Sequence, residues 1–203
     1  MCGRYTLANP EYIKERYGLE LPLDSKPNNN VYPGSQMPVI FKNSFGKLSL
    51  DMMKWGFIPS WGIESNKLSA LINARIESID TKVSFKDAFI NRRCIIPVNG
   101  FYEWKVEGSD KSPYLIKVEG AKIFSLGGIY ELALKNDGST FKSYSIVTTN
   151  ADKSIKDIHD RMPLVLDDHF ENLWLGNDFI KSNFMDRYRD LNLKLGYSKV
   201  SKL

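Results

Sequence analysis

Arg93-Cys94-Ile95-Ile96-Pro97 followed by Gly100-Phe101-Tyr102-Glu103-Trp104-Lys105-Val106 is the stretch that decides the fold class. Both runs are short and dense in β-branched and aromatic residues, which suits pleated, half-buried strands. A Glu107-Gly108-Ser109-Asp110 turn follows, and then three further strand-like runs, Tyr114–Val118, Ile123–Tyr130 and Tyr144–Thr148. Toward the N-terminus, residues 2–8 read as a short strand. Val39-Ile40-Phe41 and Leu48–Phe57 read as a hairpin closed by Asn43-Ser44-Phe45-Gly46. Helical signals are few and dispersed. Asn9-Pro10-Glu11 places Asn at an N-cap and Pro at the first helical position, with Gly18 as the stop. Phe85–Asn91, Lys153–Ile158 and His169–Leu175 are the other candidates. The segment from Pro22 to Pro38, rich in Pro, Asn and Gly, reads as a long loop of the kind that often carries function. Many strands with scattered short helices predict an α+β fold: mainly antiparallel twisted sheets, curled into a barrel-like core. Residues 1–203 contain no repeat, low-complexity tract or linker, so one domain is expected.

Composition narrows the function classes. The chain has 203 residues and a net charge of +4, mildly basic, which allows an anionic partner without demanding one. No apolar run reaches membrane-span length, and the N-terminus lacks a signal-peptide core. The cysteines, Cys2 and Cys94, have no disulfide-framework spacing, so a reducing compartment and a cytoplasmic location are expected.

Met1-Cys2-Gly3-Arg4-Tyr5 places a cysteine where methionine removal would make it the first residue. Its α-amine and thiol would then sit on adjacent carbons, with ordinary pKa values of ~7.7–8.0 and ~8.5. Such a 1,2-aminothiol traps an aldehyde twice: the amine forms an imine and the sulfur closes a five-membered thiazolidine. The residues equally allow an incidental cysteine in a frayed terminus. Three other stretches carry candidate chemistry. In Asn73-Ala74-Arg75-Ile76-Glu77, an extended chain puts Asn73 and Arg75 on one face; a surface Arg75–Glu77 pair is the simpler alternative. In 100–104, Phe101 and Glu103 share a strand face, so an inward Phe101 carries Glu103 toward a cleft, where burial raises a carboxyl pKa. The alternative is a bend that leaves Glu103 in water. In His159-Asp160-Arg161-Met162-Pro163, His159 is suited to proton transfer near neutrality, or is a satisfied structural histidine. Cys2, Cys94, His159 and His169 lack paired zinc-ligand spacing, and no Gly-x-Ser-x-Gly elbow is present.

Taken in order, these stretches resemble the SRAP (SOS-response-associated peptidase) family. The matching pieces are residues 1–5, Asn30-Val31-Tyr32-Pro33-Gly34, Trp55–Trp61, Ile72–Glu77, Arg93–Pro97, Gly100–Trp104 and Ile158–Leu166. The resemblance implies a sensor and shield of abasic sites in single-stranded DNA, at single/double-strand junctions as well, acting through a thiazolidine cross-link to the ring-opened sugar. It implies Cys2 as nucleophile through sulfur and amine, and Asn73 orienting amine and sugar. Glu103 would be the general acid–base, with His159 assisting proton transfer at the sugar oxygen. Arg4, Arg75 and Arg161 would grip flanking phosphates, contacts that are sequence-independent and salt-sensitive. Trp61 offers a stacking face, Pro33 a wedge against a base step, and Asn30 a backbone contact nearby; core packing is the alternative for Trp61. No metal or organic cofactor is implied, and a monomer is expected. Two departures stand out. Lys82-Val83-Ser84 lies where relatives often carry a further arginine, and the C-terminal strand motif is present only in part, as Tyr197-Ser198-Lys199-Val200. Two other functions remain open: a non-covalent reader of single-stranded or modified DNA using Arg75, Arg161 and Trp61, and a thiol peptidase built on Cys2, His159 and Asn73.

Overall fold

The strand-forming runs after residue 93 all become strands, and their pairings return on themselves. In the computed structural model the strands are β1 Arg4–Leu7, β2 Asn28–Val31, β3 Gln36–Lys42, β4 Leu48–Trp55, β5 Asn73–Arg75, β6 Arg93–Val98, β7 Gly100–Glu107, β8 Asp110–Val118, β9 Phe124–Leu134, β10 Thr140–Asn150, β11 Arg161–Pro163, β12 Val165–Leu166 and β13 Leu195–Lys199. The helices are α1 Tyr12–Tyr17, α2 Lys86–Asn91, α3 Asp168–Trp174 and α4 Lys181–Tyr188. The structure describes residues 2–22, 25–63 and 69–201. Met1, Leu23-Asp24 of the expected loop, and the last two residues of the expected 1–203 domain lie outside them.

β3 pairs with β4 and β6, β6 with β9, β9 with β10, and β10 with β4, which closes a ring of five strands. All these pairings are antiparallel except β4–β10, and β10 takes β5 as a second parallel partner. The fold is therefore α+β with a barrel-like core, as the strand pattern predicts. Closing so small a ring forces backbones together at Gly127-Gly128, where β9 turns between β6 and β10. A methyl group on Gly128 would stand 2.3 Å from Ile96 Cδ1, 3.0 Å from the Ser145 carbonyl oxygen and 3.1 Å from Cys94 Sγ. Gly128→Ala is expected to destabilise the protein by about 1–3 kcal/mol, as overpacking does, read as a lower urea midpoint at unchanged slope.

A second, five-stranded sheet in the order β13-β8-β7-β1-β2 covers the ring. Its inner face is set by Tyr5, Phe101 and Ile116, register partners that are all fully buried. Tyr5 ties the sheet to the ring twice. Its phenyl group tilts against Trp55 at 5.2 Å between centroids, and its hydroxyl shares a 2.7 Å hydrogen bond with that of Tyr144. The helices pack outside. Trp174 of α3 donates its indole N–H to the Cys94 carbonyl at 2.9 Å, and Arg93 caps the carbonyls of Phe89, Ile90, Trp174 and Gly176. Among the described residues, no helix is long and apolar enough to cross a membrane.

Three local expectations need correction. First, α1 begins at Tyr12, not Pro10. Asn9 does not cap it: Glu11 holds the N-cap position without a side-chain cap bond, and the Asn9 side-chain amide donates to Glu11. Second, the 22–38 loop contains β2, which long-range pairing with β1 holds extended; local composition gives no sign of that partner. Third, Lys153–Ile158 forms turns instead of a helix. Asp152 Oδ1 accepts from Ser154 N, and Ile155 and Ile158 make i→i−3 bonds that bury both isoleucines. The C-terminal strand motif does form: β13 pairs with β8 from Leu195 to Lys199.

Candidate functional site

Cys2 enters the site immediately before β1. It is fully buried, and its thiol lies 3.7 Å from the Arg4 carbonyl oxygen, to which it donates. β5, held by its parallel pairing with β10, brings Asn73 to the same place: Asn73 Nδ2 donates to the Cys2 carbonyl at 2.9 Å. Asn73 Oδ1 is buried with no hydrogen-bond partner among the described residues. An acceptor left so costs free energy unless a donor arrives. Sequence separation of 71 residues is bridged by one side chain.

β7 supplies the carboxylate. Tyr5 opposes Phe101 and Arg4 opposes Tyr102 in the β1–β7 register, so Phe101 and Glu103 share the inner face. Glu103 is only 1% exposed. Burial pushes its carboxyl up from 4.5 to about 7, where it can both give and take a proton near neutrality. Of the two readings the sequence allows for Glu103, the buried one holds. The thiol of Cys2 is pushed well above the ordinary thiol range, first by burial and then by the Glu103 carboxylate.

His159 stands on the segment joining β10 to β11. Its Nδ1 accepts the Arg161 backbone N–H at 2.9 Å, and the exposed Asp160 carboxylate lies 2.9 Å from the same nitrogen. One nitrogen with one lone pair cannot accept from the amide and donate to the carboxylate together. Burial lowers the His159 pKa, so the neutral ring prevails, taking the amide at Nδ1 and carrying its proton on Nε2. The Asp160 carboxylate, in contact with His159, also acts through its charge on Glu103.

The cationic candidates occupy three different settings. Arg75, beside Asn73 on β5, is exposed. Arg161 is largely buried and already held: Nη1 and Nη2 meet Glu77 at 2.7 and 3.0 Å, Nη1 meets Asn150 at 2.8 Å, and Nη2 meets the Thr148 carbonyl at 3.0 Å. The ion-pair partner of Glu77 is therefore Arg161, and Arg75 acts on Glu77 through its charge. Arg4 lies on the sheet face opposite Glu103. It donates to Asn30 Oδ1 at 2.6 Å and rests over the Tyr32 ring at 5.5 Å. Pro33 and Gly34 form the turn that follows, with Ser35 N bonded to the Tyr32 carbonyl at 3.0 Å and Gly34 at a φ of 97°; Pro then Gly at the two central positions is the type II pattern. Trp61, on a 3-10 turn at Ser60–Gly62, is 60% exposed, which rules out core packing and leaves its ring open to solvent.

Cys2 and Asn73 are thus joined by a hydrogen bond, Glu103 lies close enough to Cys2 to act on its thiol, and Asp160 beside His159 acts on Glu103. Arg4, Asn30 and Pro33 form a separate cluster on the outer face, and Trp61 stands on a third segment. Sequence reasoning missed the Tyr5–Tyr144 pair beneath Cys2. Burial raises both phenols, and Cys2 adds to the effect on each. The only signal for it was Tyr5 inside the first motif; Tyr144 sits 139 residues away.

Residues 1–202 match the profile of the SOS response associated peptidase (SRAP) family. "Abasic site processing protein YoqW" of Bacillus subtilis is 35% identical over 180 residues, covering 86% of this chain and 80% of that protein. "Abasic site processing protein YedK" of Escherichia coli is 32% identical over 183 residues, covering 86% and 79% respectively. A crystal structure of a Bacteroides thetaiotaomicron protein superposes with a TM-score of 0.86 at 25% identity, covering 98% of this chain and 92% of that one. This protein belongs to the SRAP family.

Proposed function

We propose that this protein captures abasic sites in single-stranded DNA, junctions included, by a covalent cross-link through Cys2. The names of its relatives as abasic site processing proteins support the DNA lesion as partner. The observation that carries the chemistry is the Asn73 clamp on Cys2, whose other amide atom, Oδ1, is buried with no hydrogen-bond partner among the described residues. Once Met1 is removed, the new α-amine is a donor that this acceptor can hold.

The steps balance without a cofactor. The amine attacks the C1′ aldehyde of the ring-opened sugar, forming a C–N bond, and the carbonyl oxygen leaves as water. The thiol then adds to the imine carbon, forming the C–S bond. Both hydrogens of the water come from the amine as the imine forms, and the thiol proton passes to the imine nitrogen as the ring closes, leaving a ring N–H. Glu103, titrating about neutrality, is positioned to relay these protons. Neutral His159 can donate from Nε2 to the sugar oxygen. The burial that keeps Cys2 a thiol favours this order, because the amine makes the first bond and no free thiolate is needed. A peptidase nucleophile needs the thiolate at the outset, so the same burial disfavours turnover of peptides. Arg75 and Trp61, both exposed, are the contacts we assign to the flanking phosphate and base; Arg4 with Asn30 and Pro33 would meet the strand at the outer rim. We take the protein to act as a monomer in the cytoplasm, with residues 1–203 as one domain.

The test is intact mass after denaturation, with a single-stranded oligonucleotide carrying one abasic site. Protein without Met1 plus DNA minus one water is expected. An adduct seen only after borohydride would mean a transient imine and lyase-like turnover. Binding without any adduct would make the protein a non-covalent reader.

A further inference from the structure

The inner face of the five-stranded sheet does not end at Glu103. In the β7–β8 register Glu103 opposes Tyr114, and in the β8–β13 register Tyr114 opposes Lys199. Cross-strand partners share a face, so Glu103, Tyr114 and Lys199 form one row running from the buried carboxylate to the edge strand. Strands lie about 4.8 Å apart, so the row spans about 10 Å. Two residues along, the row Phe101, Ile116 and Tyr197 lies on the same face.

Burial changes sharply across both rows. Phe101 and Ile116 are fully buried under the ring of strands, whereas Tyr197 is 53% exposed and Lys199 is open to solvent. The covered face therefore opens at β13. There Tyr197 stands edge-to-face with Tyr114, at 5.8 Å and 71°. Beside them the strand ends border a recess of about 420 Å³ whose lining includes Lys111, Ser112, Lys199 and Ser201. The nearby acid Glu107 makes its ion pair with Lys105 at 2.8 Å, while Lys199 acts on it through its charge.

We propose that Tyr114, Tyr197 and Lys199 form a nucleotide subsite on which single-stranded DNA leaving the reaction centre runs, Tyr197 stacking on a base and Lys199 neutralising a phosphate. An aromatic platform with an adjacent cation suits any base, since every base has a π face, and suits a strand whose sequence is arbitrary. This assignment rests on the reading of single-stranded DNA as the partner.

The probe is an intact single-stranded oligonucleotide without a lesion, with binding followed by fluorescence anisotropy across a salt series. Lys199→Gln is expected to lower the slope of log K against log salt by about 0.7, the contribution of one phosphate contact on a single strand. Tyr197→Ala is expected to weaken binding about tenfold with the slope retained, and Tyr197→Phe to preserve it. Both side chains are exposed on an edge strand, and thermal melts matching wild type would confirm intact folds. A Lys199→Gln slope equal to wild type, or a Tyr197→Ala affinity equal to wild type, overturns the subsite. Cross-linking by wild type is scored separately by mass. If wild type gives no adduct while the two variants behave as described, the covalent chemistry fails and the subsite stands.

Discussion

Cys2→Ala is expected to abolish the denaturation-resistant adduct, reducing it by at least about a thousandfold relative to wild type. The alanine variant keeps the α-amine, so an imine can still form. Without the sulfur it cannot close the ring, and the imine returns to aldehyde and amine in water. Held geometry makes closure effectively unimolecular, with an advantage on the order of 10⁵ M or more over a free thiol, so added thiol in solution will not restore the adduct. Cys2→Ser distinguishes sulfur from mere size. Its hydroxyl is a poorer nucleophile at the same position, and borohydride reduction should reveal trapped imine in both variants. A variant with one residue retained before Cys2 provides the complementary test, since it keeps the thiol and loses the adjacent amine. It too is expected to give no adduct. A normal yield from either the blocked chain or the alanine variant would refute capture by the aminothiol. Cys2 is fully buried, so stability should be measured alongside. Cys2→Ser introduces a hydroxyl where the thiol donates to the Arg4 carbonyl, and it retains that donor.

Glu103→Gln is expected to slow adduct formation by about 10²–10⁴-fold, the usual contribution of a positioned acid–base group. Wild-type rates should change with pH around about 7, the Glu103 value, and the glutamine variant should lose that inflection. The same substitution has a stability consequence of opposite sense. The folded-state pKa lies above the ordinary 4.5 because burial disfavours the carboxylate. Between 4.5 and about 7 the folded protein therefore holds a proton that the unfolded chain has released. Stability contributed by the protonated group is fully present below 4.5, falls as pH rises, and is lost once pH passes about 7. The interval corresponds to on the order of 3 kcal/mol. Glutamine has no such dependence. The melting temperature of Glu103→Gln minus that of wild type should therefore rise from pH 5 to pH 8, by several degrees at about 2–4 °C per kcal/mol. An unchanged difference across that range would mean that Glu103 is not held protonated by its surroundings. The position combines activity with a stability cost, the trade often found at sites.

The strands from 93 to 150 were legible because their runs are dense in β-branched and aromatic residues and because Gly-containing turns separate most of them, both local properties. Gly18 as the stop of α1 follows from backbone chemistry within a few residues. The inward turn of Glu103 was half legible: period-two alternation links it to Phe101, and only the pairing with β1 shows which face is inner. Lys153–Ile158 was misread because helical spacing of two isoleucines is also what buried tight turns produce.

What the amino-acid sequence determined by itself is the α+β class, the ordered motifs of the SRAP family, and the chemical types at Cys2, Asn73, Glu103 and His159. These depend on residue identity and near-neighbour spacing. The tertiary structure alone decided that β2 is a strand and that β10 closes the ring in parallel with β4. It decided too that Asn73 clamps Cys2, that Glu77 holds Arg161, and that Tyr197 and Lys199 continue the face of Glu103. Each of these is a contact between segments far apart in the chain. Hydrogen-bond register, burial and the pKa shifts they cause depend on which distant strand arrives, and a local reading contains no information on that arrival.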